Sequence, residues 1–455
     1  MLTYELKKRP GVPLDEALYR CIRADILSGK LAPDEKLPSK RALSENLDVS
    51  KITVEGAYNQ LLSEGFIRSQ EKVGYFVENI ERIPPRQEIP GCPQKEETSL
   101  IDLTANSPVR FPFSVWSRLQ REVMLDLGDQ LLLPLHNQGL PELRQAIARN
   151  LAQFRGMQVS PAHILIGAGT DFLYNLLVQL LGRDKVFGVE EPGYRKIRKV
   201  YESAGTECIS TPLDSLGVSA ENLQNVQVLH ISPSHHFPTG LVTPMNRRLE
   251  LLNWAKSRPD RWIIEDDYDS EFRFSIHPMP AMYSLDGEHV IYMNTFSKTL
   301  APSIRISYLV LPHRLMEKFR ENLGFYSCTV PSFEQYTLAR FLNRGHFEKH
   351  INRMRKFYKS RRNRILTALQ TCPFSDRLTF WEKDAGLHFL VQVNTGFTDR
   401  EITEYCLKKG VKVKTLSDYF WGEVPDSARK CVVVNYSGLS EESLQKLEKI
   451  LQGNP

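Results

Sequence analysis

Near the start of the chain, apolar residues recur every three or four positions in three short segments, which predicts three amphipathic helices. The first ends before Gly29, the second spans 38–47, and the third begins after Ser50, whose side chain is suited to cap it. Two short apolar runs, 66–68 and 75–77, follow around a polar turn and predict a two-stranded hairpin. These elements together indicate a small separate module.

From residue 99 onward, short apolar runs alternate with helical segments, which is typical of a doubly wound α/β sheet. Between the two patterns, residues 80–98 contain four prolines among charged and polar residues, which predicts a linker. Late apolar runs at 387–391 and 431–435 predict two further strands. Because ligands of open α/β sheets bind at the carboxyl ends of strands, we expect one site where the earlier runs end.

The bulk composition narrows the class of protein only slightly. A formal charge of +5 over 455 residues implies no strong field for polyanions, and no apolar stretch is long enough to span a membrane. The N-terminus has no apolar segment like that of a signal peptide. The seven scattered cysteines form no C-x-x-C pair, so no metal site is predicted, and they fit a reducing, cytoplasmic location.

One lysine, Lys298, follows a buried run among small hydroxyl residues. Desolvation in such a turn would lower its pKa and make the neutral amine available to attack an aldehyde. Thr295, Ser297 and Arg305 are suited to hold a phosphate beside it. This layout predicts that pyridoxal 5'-phosphate (PLP) binds to Lys298 as a Schiff base, while the alternative is an ordinary solvated loop lysine.

Another apolar run ends in carboxylates and a tyrosine. A carboxylate such as that of Asp266 would keep a pyridine nitrogen protonated, and the Tyr268 hydroxyl is suited to bond the phenolic oxygen of the cofactor. With Lys298, these sequences resemble the fold-type I aminotransferases. More narrowly, EDDYDSEF, TFSKTLAPSIRISY and EEPGY resemble the MocR group, which are GntR-type transcription regulators fused to an aminotransferase-like domain.

The resemblance implies an α/β protein with two domains and a linker. Residues 10–79 would form a GntR-type winged helix-turn-helix that binds DNA, and 80–98 the linker. Residues 99–455 would form a PLP-binding effector domain like class I/II aminotransferases, with a large doubly wound part and a small C-terminal α+β part. The family also implies a homodimer, because each cofactor site is completed by a second subunit.

The resemblance also assigns further cofactor contacts. Gly169, Thr170 and Asp171 would cradle the phosphate at a helix N-terminus, although the residues alone also fit a plain strand-to-helix turn. Tyr194 would stack on the pyridine ring. Aminotransferases carry an asparagine where this chain has Phe237, so the hydrogen bond of that asparagine is absent or is supplied by a neighbour such as His235.

The module at 10–79 has no overall basic charge. Residues 1–80 contain 12 Lys and Arg against 12 Asp and Glu, so a protein-binding winged helix is the alternative to a DNA-binding one. The pattern of elements favours DNA. The predicted DNA-binding residues lie in the helix-turn-helix and the wing, and they are Lys40, Arg41, Ser50, Lys51, Thr53, Lys72 and Gly74.

Aminotransferases hold the substrate carboxylate with an arginine where this chain has Gly438. Arg110, Lys196 and Arg429 are the candidate replacements for binding an effector. We therefore predict a PLP-dependent regulator that binds operator DNA and senses an amino acid, an amine or PLP itself through Lys298. The alternatives are an active aminotransferase with an added winged helix and a fold that serves only for dimerisation.

Overall fold

The computed structural model describes residues 2–4, 6, 13–79, 100–104, 110–273, 279–381 and 386–452. The chain divides into two compact units, 1–97 and 98–455. The predicted linker at 80–98 lies outside the described residues. Of the helices described, none combines the length and the apolar character needed to cross a membrane.

The first unit contains three helices and a small antiparallel sheet. The elements are α1 (Leu14–Ser28), β1 (Lys36–Leu37), α2 (Lys40–Leu47), α3 (Lys51–Ser63), β2 (Ile67–Gln70) and β3 (Gly74–Val77). The predicted helices and hairpin are confirmed. The sheet has a third strand, β1, which pairs with β3 and which the sequence did not reveal because two residues show no periodicity.

Hydroxyl side chains fix where the second and third helices begin. The Ser39 hydroxyl accepts a hydrogen bond from the Ala42 amide, so α2 starts at Lys40, two residues later than predicted. The Ser50 hydroxyl accepts from the Thr53 amide at the start of α3, which confirms the predicted cap. Both caps satisfy amides that would otherwise have no partner in the first helical turn.

The second unit has the helices and strands of a two-part α/β domain. Its helices are α4 (Phe113–Leu127), α5 (Pro141–Arg155), α6 (Thr170–Leu181), α7 (Arg195–Ser203), α8 (Met245–Lys256), α9 (Met282–Leu285), α10 (Phe296–Thr299), α11 (His313–Asn322), α12 (Ser332–Asn343), α13 (His346–Gln370), α14 (Asp399–Lys408) and α15 (Glu441–Leu451). Its strands are β4 (Ile101–Asp102), β5 (Ile164–Gly167), β6 (Val186–Glu191), β7 (Glu207–Asp214), β8 (Gly217–Val218), β9 (Val228–Ile231), β10 (Trp262–Asp266), β11 (Val290–Thr295), β12 (Ser307–Val310), β13 (Leu378–Trp381), β14 (His388–Val393), β15 (Val411–Lys412), β16 (Lys414–Thr415) and β17 (Cys431–Asn435).

The large sheet has the strand order β5-β12-β11-β10-β9-β6-β7-β8. Strands β11, β10, β9, β6 and β7 are parallel, whereas β12 is antiparallel to both β11 and β5. The central strands are apolar and fully buried, because helices cover both faces of the sheet. The carboxyl ends of β5, β6, β9, β10 and β11 therefore meet at one edge, where the sequence predicts the ligand site.

A smaller antiparallel sheet follows in the order β13-β14-β17-β16, and β15 pairs in parallel with β4. The predicted late strands correspond to β14 and β17. The 25-residue helix α13 buries one face, including Ile351, Met354 and Tyr358, in the main core of this unit. This architecture agrees with the predicted α/β fold class, with a large doubly wound part and a small C-terminal α+β part.

Candidate cofactor and DNA-binding sites

Lys298 lies in the short helix α10, directly after the carboxyl end of β11. The turn is held by Thr295, whose hydroxyl oxygen accepts hydrogen bonds from the Ser297 amide at 3.1 Å and the Ser307 hydroxyl at 2.7 Å. Burial lowers the pKa of the Lys298 amine to about 8, although Asp269 and Asp266 raise it. The amine therefore has an accessible neutral form, which a nucleophile toward an aldehyde requires.

A cleft of about 390 Å³ opens beside Lys298 at the edge of the sheet. Ten residues that the sequence singles out line it, and they come from four separate segments of the chain. They are Thr170, Asp171, Tyr194, Lys196, Asp266, Tyr268, Thr295, Ser297, Lys298 and Arg305. The structure thus brings together most of the predicted site.

At one end of the cleft, Gly169 precedes the first turn of α6. Its backbone φ is +90°, and a Cβ built there would lie 2.1 Å from Nη2 of Arg305. Only glycine therefore leaves room for the Arg305 guanidinium, which donates a hydrogen bond to the Ala168 carbonyl at 3.2 Å. A helix N-terminus with an arginine across it is a favourable site for a phosphate.

A carboxylate also lies at this end of the cleft. Asp171 Oδ2 is 2.6 Å from Lys196 Nζ and 3.7 Å from Arg305 Nη2. Lys196 and Arg305 together outweigh the single charge of Asp171, so the net charge of this end remains positive. Lys196, predicted as an effector contact, lies at this same end of the cleft.

At the inner end of the cleft, Asp266 ends β10. Its Oδ2 accepts a hydrogen bond from the Tyr174 hydroxyl at 3.2 Å and lies 3.5 Å from His230 Nε2. Its Oδ1 is buried and has no hydrogen-bond partner among the described residues. A buried acceptor without a donor is costly, so this atom calls for a donor such as a protonated ring nitrogen.

The predicted contacts to the phenolic oxygen have a different arrangement from that expected. Tyr268 lines the cleft, and its hydroxyl lies 3.4 Å from His235 Nδ1. His235 itself is buried behind Tyr268, where Nδ1 is 2.9 Å from Asp269 Oδ2, and it does not line the cleft. Phe237 lines the cleft instead, with its ring edge-on to Tyr194. His235 can therefore act on a ligand in this cleft only through Tyr268.

Several lining residues were missed by reasoning from the sequence. Glu190, at the end of β6, accepts a hydrogen bond from the Ser232 amide at 2.9 Å, and burial raises the pKa of its carboxyl to about 8. The sequence could have identified Glu190 as a site residue, because it belongs to the EEPGY motif. Tyr174, His230 and Trp421 also line the cleft, but isolated residues of these types carry no pattern that marks them as ligand contacts.

Two of the three effector candidates do not line the cleft. The Arg110 guanidinium stacks on the Phe357 ring, 4.3 Å from its centre. Arg429 is exposed, contacts Asp426 at 3.5 Å, and precedes β17, whereas Gly438 follows the other end of that strand. Arg429 is therefore a wrong candidate to replace an arginine at Gly438, because the full length of β17 separates the two positions.

The predicted DNA-binding residues differ in how available their charges are. The charge of Lys40, a predicted DNA-binding residue, is the least available, because its side chain is only 18% exposed and Nζ lies 2.7 Å from Glu55. Arg41 is 85% exposed, Lys51 and Lys72 are exposed, and Gly74 begins β3 directly after the wing turn with a φ of +136°. Ser50 and Thr53 are joined by hydrogen bonds that cap α3.

Comparison with known proteins identifies the families to which the two units of this chain are similar. The family described as bacterial regulatory proteins, gntR family, matches residues 14–77, and aminotransferase class I and II matches residues 98–449. An archaeal alanine:glyoxylate aminotransferase structure is 25% identical, with a TM-score of 0.68 over 78% of this chain and 91% of that one. The protein is thus a winged helix-turn-helix joined to an aminotransferase domain.

Full-length relatives with both domains narrow the family. "Uncharacterized HTH-type transcriptional regulator YdeL" of Bacillus subtilis is 35% identical and covers 98% of this chain and 97% of its own. "Probable rhizopine catabolism regulatory protein MocR" of Rhizobium meliloti is 32% identical, with coverage of 97% and 93%. The chain belongs to the MocR group of GntR-type transcription regulators.

The cofactor of this aminotransferase domain is PLP. The cleft fits it on three observations of the structure. The buried Asp266 Oδ1 has no partner among the described residues, a Cβ at Gly169 would collide with the Arg305 guanidinium, and the Lys298 pKa is lowered. When bound, the cofactor supplies an aldehyde for the lysine and an electron-withdrawing ring.

Proposed function

We propose that this protein is a transcription regulator that binds operator DNA through its winged helix and senses a small amine, amino acid or PLP through Lys298. The single observation that supports this most is the cleft around Lys298 in a chain that carries a winged helix. The residues proposed to hold the cofactor are Gly169, Thr170, Asp171, Tyr194, Asp266, Tyr268, Thr295, Ser297, Lys298 and Arg305. Acting on DNA, it would work in the cytoplasm.

In this proposal each end of the cofactor has its own protein groups. Asp266 would hold a proton on the ring nitrogen, and Tyr268 would donate to the phenolic oxygen. Arg305 and the start of α6 would hold the phosphate, and Tyr194 would cover the ring at the mouth of the cleft. Lys298 would hold the cofactor, which would supply an aldehyde for which an incoming amine can compete with the lysine.

The cleft favours sensing over efficient transamination. Transamination requires the substrate's α-hydrogen to be held over the ring, and a misplacement of about 1 Å can cost roughly 100-fold in rate. No arginine stands at position 438, and neither Arg110 nor Arg429 lines the cleft within the part of the chain that the structure describes. Lys196 is the remaining candidate, and it is paired with Asp171.

Exposed apolar side chains support a homodimer of the second unit. Leu125, Leu132, Leu133 and Phe325 are each more than 60% exposed. Large exposed apolar side chains in such number mark an interaction surface. Two winged helices carried by one dimer would bind two half-sites of an operator.

In vitro selection from a random duplex library tests the proposed DNA reading and does not require the operator to be known. The full-length protein should enrich a two-part sequence. Lys51→Ala should lose enrichment at about one base pair in each half-site, because α3 begins at Lys51. Enrichment of no sequence by the wild-type protein would contradict DNA reading and favour the protein-binding alternative.

A further inference from the structure

Helix α13 carries a net excess of positive charge. Its 25 residues contain eight Lys and Arg and one Glu. Cations that point inward have partners: Arg355 donates to the Glu271 carbonyl, Arg361 to the Leu439 carbonyl, and Arg364 contacts Glu441 and Glu448. The inward-facing cations thus serve the packing of the domain.

The outward-facing cations do not serve packing. Lys349, Arg353, Lys356 and Lys359, here called the α13 basic face, are exposed and recur every three or four positions. Within the described residues none of the four has an acidic partner. At about 1.5 Å per residue, the α13 basic face extends over roughly 15 Å of one side of the helix.

Several exposed arginines on other helices of this chain are paired with an acid. A Glu four residues away pairs with an Arg on α1, α2, α4, α7 and α14, in the pairs Arg20–Glu16, Arg41–Glu45, Arg118–Glu122, Arg198–Glu202 and Arg400–Glu404. On α13 the same spacing repeats Lys and Arg without acids. Like charges at this spacing destabilise a helix slightly, so packing gives no reason for them.

The α13 basic face borders a groove between α13 and α15. The groove has a volume of about 930 Å³, and Lys356, Lys359 and Lys449 line it together with the amides of Asn363 and Gln445. Its acid, Glu448, is held by Arg364 at 2.9 Å. The surface therefore offers cations and neutral hydrogen-bond donors, which is the chemistry that binds phosphate oxygens.

The winged helix, in contrast, has no excess of positive charge. Its residues 1–80 have no net charge; Lys40, Arg41 and Arg68 lie within 3.0 Å of an acid, whereas Lys51 and Lys72 are exposed. Phosphate contacts supply a large share of the affinity of DNA-binding proteins, so a second basic surface would add to the few contacts that this domain can make.

We propose that the α13 basic face contacts the phosphate backbone of the same duplex that the winged helix reads. The inference rests on the proposed DNA-binding function and adds a second, sequence-independent contact to it. The roughly 15 Å of the face corresponds to about four or five phosphates along one strand at roughly 3.4 Å per base pair. Contacts of this kind raise affinity for any sequence and increase its dependence on salt.

The test compares two charge-matched variants of the full-length protein on a mixed-sequence duplex several helical turns long. Lys356→Gln/Lys359→Gln removes two charges from the α13 basic face, and Lys408→Gln/Lys409→Gln removes two exposed charges at the end of α14. Affinity is measured over a series of salt concentrations. The slope of log affinity against log salt should become shallower by about 0.9 for each phosphate that the variant no longer binds.

We expect the slope of the α13 variant to be shallower by about 1 to 2 and its affinity to fall roughly tenfold or more, while the α14 variant stays near wild type. Equal slopes for the two variants would overturn the inference. The proposed function would still hold if Lys51→Ala weakens binding to a selected operator. No DNA binding by the wild-type protein would overturn both. Melting temperature confirms that each variant is folded.

Discussion

Replacing Gly169 by alanine tests the proposed phosphate end of the cleft. The backbone there has φ +90° and ψ 168°, a region that only glycine adopts readily, so alanine should cost about 1–3 kcal/mol of stability. The new Cβ would also lie 2.1 Å from Nη2 and 2.4 Å from Cζ of Arg305. Because a guanidinium at the end of a long side chain can move, we expect Arg305 to turn away from the start of α6.

Displacing Arg305 removes a charge-assisted hydrogen bond to the cofactor phosphate, which is worth about 1.5–3 kcal/mol. Cofactor affinity should therefore fall roughly 10- to 150-fold. The assay is a spectral titration of cofactor-free protein with PLP. A second titration with pyridoxamine 5'-phosphate, which has the phosphate but no aldehyde, separates the phosphate contact from the link to Lys298.

Gly345→Ala is the matched control, because Gly345 also has a positive φ, +69°, but a Cβ there meets nothing within 4 Å. It should lose stability through backbone strain and keep its cofactor affinity. If Gly169→Ala binds pyridoxamine 5'-phosphate within about twofold of wild type, Arg305 does not hold the phosphate from this position and the proposed arrangement is wrong.

The same cleft supports three other predictions. The rate of PLP uptake should rise with pH through about 8, since the lowered pKa of Lys298 leaves more neutral amine above it; a midpoint near 10.5 in stopped-flow traces would refute this. The stability of Glu190→Gln relative to wild type should increase as pH rises from 4.5 to about 8. Over this range the Glu190 carboxyl is protonated in the folded state but ionised in the unfolded state, so wild type alone loses stability as pH rises. Urea unfolding at several pH values measures the difference. Amino acid pairs should yield little keto acid in a coupled assay, and robust turnover would favour the aminotransferase alternative.

Most of the fold follows from local patterns in the sequence. The apolar stripe of α1, the Ser50 cap and the buried runs of β9 to β11 each have a period or a stop signal that does not depend on the rest of the chain. Strand β1 and the exact start of α2 were not predicted. A two-residue strand has no period, and the choice of Ser39 over Pro38 as the boundary depends on one hydrogen bond.

The site could be predicted only in part, because a motif identifies residue types but not the orientation or the partners of their side chains. Lys298, Asp266 and Tyr268 stand at strand ends, where topology fixes which edge they share. The position of His235 behind Tyr268 depends on its pairing with Asp269, and the pairing of Lys40 with Glu55 joins two helices. Such contacts form between segments that are distant in the sequence, so the pattern of a single sequence does not predict them.

The central claim is that Lys298 connects a small ligand to DNA binding. The most direct measurement is the affinity of full-length protein for a selected operator, with and without PLP, in wild type and in Lys298→Ala. We predict that PLP changes the wild-type affinity or its footprint and that the variant, which lacks the covalent link, shows no such change. An identical response to PLP in the two proteins, or no response in wild type to PLP and to a panel of primary amines, would contradict the account.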